Sequence, residues 1–339
     1  VPNDFRFRHF SVEDGLSSNS VRAIMQDKYG FLWIGTEEGL NRYDGIMIKS
    51  YSICPQAAGK YISSLYGTKK NIWIGTDEGI YIYAYATETF TYFDLTTPNN
   101  VRITSIVNHI LQDKDGNLWF STNGQGLFRY NLSKNYLEQY EFTSAFGIVA
   151  STMADSDNQI WALTNQGESG VYKLNKAENK FEPFGLLYNA GNHHSQALAM
   201  LEDSEQTLWL GTWELQKIDK YTRQTTTYLH PTDGKGVTHI HSLMEYAPHQ
   251  LLIGSDDGLL LFNTLTEEYK LFTENETVPN SLSNRFVYPI IKDREGGIWI
   301  GTYYGGINYI SPNAEQFESF SHSRLYNSIN GNVIGRFCE

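Results

Sequence analysis

Short runs in which apolar and polar residues alternate recur along the whole chain. "VRAIMQ" at 21–26, "FLWIGT" at 31–36 and "TFTYFD" at 89–94 are examples, each bounded by Gly, Asp or Asn. Alternation with a period of two over so few residues marks half-buried strands, and the bounding residues mark tight turns. One unit reads as an alternating run, a turn such as "DKYG" at 27–30, the run "LWIGT", a short loop, "LNRYDG" at 40–45 and a last extended stretch. That is four antiparallel strands, here called A to D from the inside outward, with no room left for helices.

The unit repeats seven times. "LWIGT" at 32–36 returns as "IWIGT" at 72–76, "LWFST" at 118–122, "IWALT" at 160–164, "LWLGT" at 208–212, "LLIGS" at 251–255 and "IWIGT" at 298–302. The anchors Trp33, Trp73, Trp119, Trp161, Trp209, Leu252 and Trp299 are spaced by about 44 residues on average, within the range of propeller blades. The fold expected is all-β: a seven-bladed β-propeller of four-stranded antiparallel blades, spanning residues 1–320. Each anchor Trp is read as a wedge between blades, worth about 4–6 kcal/mol of apolar burial before entropy is subtracted. Leu252 fills its slot more thinly, so blade six is expected to have the softest interface. Asp27, Asp113, Asp155, Asp203 and Asp293 each stand six residues before an anchor Trp, where the side chain can bond nearby backbone N–H groups and set the A–B turn. Gly30, Gly116 and Gly296 supply the permissive φ of that turn.

The two ends leave a question open. "FRFRHF" at 5–10 and "FESFSH" at 317–322 look alike, and "LSSNSV" at 16–21 matches "INGNVI" at 329–334. Either the N-terminal strand closes blade seven as a clasp, or "FESF" does and residues 321–339 begin a further repeat of a second propeller. A longer parent protein, cut here, is the expectation.

A chain of 339 residues exceeds the usual single core of about 250–300, which repetition explains. A content of 14% aromatic residues with 29 Gly and 9 Pro suits many short strands and turns. A net charge of −12 with no Lys/Arg stripe argues against nucleic-acid phosphates and anionic membranes as partners. No apolar stretch approaches the roughly 18–20 residues of a membrane span, and "VPNDFRFRHF" lacks a signal-peptide layout. Cys54 and Cys338 are too few for a metal cage or a disulfide framework, and whether they pair stays open.

Candidate chemistry lies in the D–A and B–C loops, which emerge on one face around the channel and vary without disturbing a scaffold. Trp213 is the one tryptophan outside the anchor column, and it lies in the B–C loop of unit five beside Glu214. Unit seven places Tyr303 and Tyr304 there, and unit six places Asp256 and Asp257. The D–A loops add His193 and His194 in "NHHSQ", His239 and His241 in "THIH", and Arg285 in "SNRF". Aromatic faces beside carboxylates, imidazoles and a guanidinium suit a sugar, whose C–H faces stack while its hydroxyls hydrogen-bond. The competing reading is that Trp213, Tyr303 and Tyr304 pack loops against a neighbouring blade or a second subunit. Asn19, Lys60 and Arg285 begin A strands near the mouth, where the two cations could meet an acidic sugar or offset nearby carboxylates.

A zinc site would need three or four ligands in fixed geometry, so H-x-H alone reads as hydrogen-bonding histidines. "DKDGN" at 113–117 lacks the later oxygen ligands of a calcium loop. Neither a metal nor another cofactor is expected. Glycoside hydrolysis would want two carboxylates about 5–9.5 Å apart. Glu214 with Asp256 or Asp257 could be proposed, but that loop column is also acidic in units one and two, which indicates ordinary loop polarity.

"LSSNSVRAIMQDKYGFLWIGTEEGLNRYDG" at 16–45 resembles the two-component regulator propeller repeat of the sensors of hybrid two-component systems in glycan-degrading gut bacteria. The motifs L-S-x-N-x-V, D-x-x-G-x-x-W-I-G-T and G-L-x-R-Y-D carry the resemblance over essentially the whole chain, and "LSNRFV" at 282–287 repeats the opening. In that family two seven-bladed propellers and a small β-sandwich precede a transmembrane helix, a histidine kinase, a receiver and a DNA-binding domain. The resemblance implies the N-terminal propeller of a periplasmic sensor, an oligosaccharide ligand, a homodimeric parent receptor and control of glycan-utilisation genes, with no catalysis by this fragment. Alternatives are a propeller glycosidase or polysaccharide lyase, and a dimerisation scaffold without a ligand.

Overall fold

The structure, a computed structural model, describes residues 5–54, 60–142, 147–165, 170–186, 198–229, 238–278 and 280–312. Seven four-stranded antiparallel sheets succeed one another along the chain. Blade one is Val21–Gln26, Leu32–Thr36, Gly39–Tyr43 and Ile48–Tyr51, in that spatial order. A 3-10 turn at Val12–Asp14, capped by Ser11, is the one helical element among the described residues. The expected seven-bladed propeller is therefore the fold.

Blade seven answers the question of closure. Its inner three strands are Val287–Lys292, Ile298–Thr302 and Ile307–Ile310, and its outer strand is Arg8–Phe10 from the other end of the chain. Arg8, His9 and Phe10 lie opposite Tyr309, Asn308 and Ile307. The N-terminal strand is the clasp. "FESFSH" and the further repeat expected at 321–339 lie outside the described residues.

The repeat motif explains how blades stack. Each A–B turn Asp bonds twice: in blade one, Asp27 Oδ1 accepts the Tyr29 and Phe31 backbone N–H groups, and Oδ2 accepts the Trp33 indole N–H at 2.8 Å. The Asp is thus a turn former, as expected, and also the partner of the buried anchor. The Gly of "WIGT" admits the next blade: a Cβ on Gly35 would stand 2.6 Å from Ile62 Cγ2, and one on Gly301 2.6 Å from Val21 Cγ1. The Thr that follows is buried and bonds the B–C turn, as Thr36 Oγ1 does to the Gly39 carbonyl at 3.1 Å.

Leu252 is fully buried in the apolar cluster between blades six and seven, with Leu259, Val287 and Ile300.

Candidate functional site

Every blade sends at least one residue from the start of its inner strand to the central channel. Six inner strands shift register with their partner at their first residues, between Val21 and Ala23, Ile62 and Ser64, Val107 and His109, Val149 and Ser151, Ile240 and Ser242, and Val287 and Ile290. A bulge inserts an unpaired residue and re-aims its side chain. The extra residues are Arg22, Ser63, Asn108, Ala150 and His241, with Tyr288 and Pro289 in blade seven, and all of these line a channel cavity of about 400 Å³. In blade five, Leu198 precedes the paired Ala199 and lines the same cavity. Tyr61, Asn123 and Asn165 complete much of the wall.

Above this ring a continuous train of contacts runs across the mouth from blade five to blade one. The Trp213 ring lies 3.8 Å, centroid to centroid, from His239. Asp256 bridges the two histidines: Oδ2 is 2.9 Å from His239 Nδ1 and Oδ1 is 2.7 Å from His241 Nε2. His241 stacks on Tyr288 at 4.1 Å and 13°. The Arg22 guanidinium then sits 4.7 Å from the Tyr288 ring and 4.3 Å from Tyr303, and Tyr303 meets Tyr304 edge to face at 4.4 Å. Arg22 is held from its other side by Glu37, through Nε at 3.1 Å and Nη2 at 2.5 Å.

The electrostatics follow from these pairs. Burial alone would push the Asp256 carboxyl up, but the hydrogen bonds and charge of His241 and His239 outweigh it and hold the carboxyl below its ordinary value. Burial would loosen the Arg22 proton, yet the Glu37 hydrogen bond and the nearby Tyr61 and Tyr288 more than restore it. Burial raises the Tyr61 and Tyr288 phenols, with Arg22 opposing, so both stay neutral hydrogen-bonding groups. The mouth therefore offers one carboxylate between imidazoles, one paired cation and several aromatic faces.

The structure brings together Trp213, His239, His241, Asp256, Tyr303 and Tyr304 of the residues expected from sequence. Glu214 is on the same loop as Trp213, and its Oε1 accepts from Gln216 Nε2 of its own blade at 2.6 Å. Asp257 accepts the Thr238 N–H and hydroxyl. Arg285 is exposed over Phe286, at 4.9 Å, and Tyr304 reaches the same Phe286 ring at 6.0 Å. His193 and His194 lie outside the described residues. Lys60 pairs with Glu78 of its own blade, and Asn19 Oδ1 accepts the Val12 N–H, so both are engaged within the scaffold.

Arg22, Glu37, Tyr61 and Tyr288 were not among the expected site residues. A signal exists in the sequence: each stands within or beside a repeat motif, and Arg22 and Tyr288 follow the buried Val that opens an inner strand. No group of three or more His, Cys, Asp or Glu among the described residues has the arrangement of a metal site. No helix among the described residues is long and apolar enough to cross a membrane.

Comparison with known proteins extends this picture. The sequence model of the two component regulator propeller family matches residues 15–38, 101–124 and 281–304. Histidine kinase P4 of Formosa agariphila is 48% identical over 54 residues, 16% of this chain and 4% of that protein. The extracellular domain of BT3049 of B. thetaiotaomicron, assigned to a hybrid two component system, superposes with a TM-score of 0.77 at 25% identity, over 91% of this chain and 42% of that one. Virginiamycin B lyase from Staphylococcus aureus has the same fold, with a TM-score of 0.71 at 15% identity over 91% of this chain and 99% of that one. The chain thus spans less than half of the first structure and a small part of the kinase. Three of the seven blades thus match the two component regulator propeller repeat, and the other four are built on the same four-stranded pattern.

Proposed function

We propose that this chain is an extracytoplasmic, periplasmic sensor propeller that takes an oligosaccharide at the mouth of its channel. It would do so as part of a longer, dimeric, membrane-spanning hybrid histidine kinase that controls glycan-utilisation genes. The observation that carries the reading is the train from Trp213 through Asp256 and Tyr288 to Arg22 and Tyr303. Its aromatic faces suit sugar C–H faces, and its paired polar groups suit hydroxyls, which both donate and accept. The similarity to an extracellular domain of a hybrid two component system supports the signalling context.

Binding without cleavage fits the site better than hydrolysis. A general acid needs a raised pKa, whereas the two histidines hold Asp256 below its ordinary value. The likeness to a lyase is one of fold, and the site is read as non-catalytic. A ligand acts on a receptor only through different affinities for its two arrangements, so modest binding suffices. A disaccharide of about 23 heavy atoms at roughly −0.3 kcal/mol each gives about −7 kcal/mol, a Kd near 10 μM.

Calorimetric titration with neutral and acidic oligosaccharides tests this. Saturable binding of one glycan, weakened about tenfold or more by Trp213→Ala in a folded protein, is the expected result. Silence across the panel, or lost dimerisation with intact sugar binding in the variant, would make the ring a scaffold. Cleavage products after long incubation would make it an enzyme.

A further inference from the structure

We propose that the channel below the rim is itself a binding subsite, shaped for the terminal unit of a neutral, hydroxyl-rich saccharide. The inference rests on the sugar reading of the rim and deepens it by naming the ligand's chemistry and its direction of entry. A volume of about 400 Å³ falls at the low end of small-molecule sites, roughly 300–1,000 Å³, so one end of a chain fits rather than a long segment.

The wall is divided by chemistry. On blades two to four it presents hydroxyl and amide groups, of which Ser63 and Asn108 are held by the neighbouring blade. Ser63 Oγ donates to the Val107 carbonyl at 2.8 Å, and Asn108 Nδ2 donates to the Val149 carbonyl at 2.9 Å. What remains is the lone pairs of Ser63 Oγ, and the Oδ1 and second Nδ2 hydrogen of Asn108, so the wall can both accept from and donate to a hydroxyl. Asn165 adds the strongest pointer. Its side chain lines the channel, the residue is 6% exposed, and its Oδ1 has no hydrogen-bond partner in the protein. A buried acceptor without a partner costs about 1–3 kcal/mol, a cost that a turn of the Asn165 amide toward a ligand hydroxyl in the channel would remove.

Ala150 and Leu198 form an apolar sector next to these acceptors, and Tyr61 and Tyr288 close the other side. That arrangement offers ligand hydroxyls, which both donate and accept, a set of amide and hydroxyl partners, and offers ligand C–H groups an apolar surface. A carboxylate is disfavoured because the Arg22 guanidinium, the permanent cation among the described lining residues, is already bound by Glu37. A bland alternative is that water alone fills the channel and every ligand contact is made at the rim.

The test uses the whole chain with xylo-, manno- and galacto-oligosaccharides of about four units, and oligogalacturonides as the acidic counterparts. Ala150→Phe fills the channel and leaves the rim side chains untouched. Asn165→Ala removes the lone acceptor and leaves space. The expected result is a loss of binding of about tenfold or more for both variants, with thermal midpoints at or above the wild-type value for Asn165→Ala. Neutral chains should bind at least about tenfold more tightly than their uronate-terminated counterparts, the scale of one mismatched polar contact.

Wild-type affinity in Asn165→Ala, with Trp213→Ala still weakening binding, would place the ligand at the rim alone and overturn the channel proposal while sparing the sugar reading. Tighter binding of the acidic chains would overturn the ligand class. If no sugar in the panel binds the wild type, the sugar reading fails and the channel proposal falls with it.

Discussion

A buried indole needs an acceptor for its one N–H, and the repeat supplies it locally. Trp33, Trp119, Trp161, Trp209 and Trp299 each donate to the Asp six residues earlier, at 2.7–2.9 Å. The two exceptions are informative. Blade six has Tyr246 in the Asp position and Leu252 in the Trp position, so neither partner is stranded. Blade two keeps Trp73 but has Gly67 in the Asp position, and the Trp73 Nε1 is buried without a partner. Removing an acceptor from an otherwise satisfied site therefore differs from removing a donor that has none. Asp113→Ala would orphan the Trp119 indole and the Asn117 N–H together, at a cost of about 3 kcal/mol. Trp73→Phe is expected to cost less than about 1 kcal/mol, because the lost area is offset by the loss of an unsatisfied N–H. Midpoints of denaturant unfolding check the pair, and equal costs would show that the hydrogen bond contributes nothing. The Asp and Trp columns were legible in the sequence because both are local. Their bond was not, since an Asp in a turn is already accounted for by backbone N–H groups.

At the scale of the strand, the glycine of "WIGT" sets the distance between blades. A Cβ on Gly75 would fall 2.9 Å from both the Cβ and the carbonyl oxygen of Val107, the first residue of the next inner strand. A carbonyl oxygen in a paired strand cannot step aside as a side-chain tip can. Gly75→Ala is expected to destabilise by about 1–3 kcal/mol through a forced shift between blades two and three. Ser121→Ala is the control, because blade three accommodates a Cβ in this column; it loses only the hydroxyl contact with Thr152 at 2.6 Å, about 1 kcal/mol. Comparable unfolding midpoints for the two variants would mean that the inner strands are free to slide. The same scale explains which parts of the site could be read in advance. Trp213 and Tyr303 sit in a loop column that is otherwise acidic or amide, so their residue type stood out, whereas Asp256 matches Glu37 and Asp77 and was found by its position beside the histidines. Arg22 and Tyr288 sit in strands, where simple alternation suggests scaffold, and it is the bulge opening each inner strand that turns them into the channel. A bulge is set by how the blade meets the axis, and no local residue type announces it.

At the scale of the molecule, a ring of seven blades is stable only when it closes. An unpaired strand edge presents N–H and C=O groups to any other chain. The closing strand Arg8–Phe10 contributes more than its ladder with Ile307–Ile310. Phe7, 2% exposed, packs with Leu259, Phe272 and Leu282 on the side of blade six, and its N–H donates to the Asn280 carbonyl at 2.9 Å. Phe10, 5% exposed, packs with Tyr43 of blade one and Trp299 of blade seven. One short segment thus fixes blade seven to both of its neighbours. Deleting residues 1–11 would remove two buried phenylalanines, roughly 3–5 kcal/mol each by analogy with truncation to Ala, and would expose the edge of Ile307–Ile310. The expected outcome is a large fall in thermal midpoint with concentration-dependent association, measured by calorimetry and light scattering. A synthetic peptide of residues 1–11 should reverse both, because it restores the missing strand to an edge that is otherwise intact. A truncated chain that stays monomeric with an unchanged midpoint would show that the ring does not depend on this strand, and that closure rests on the six blades built from consecutive strands together with the inner three strands of the seventh.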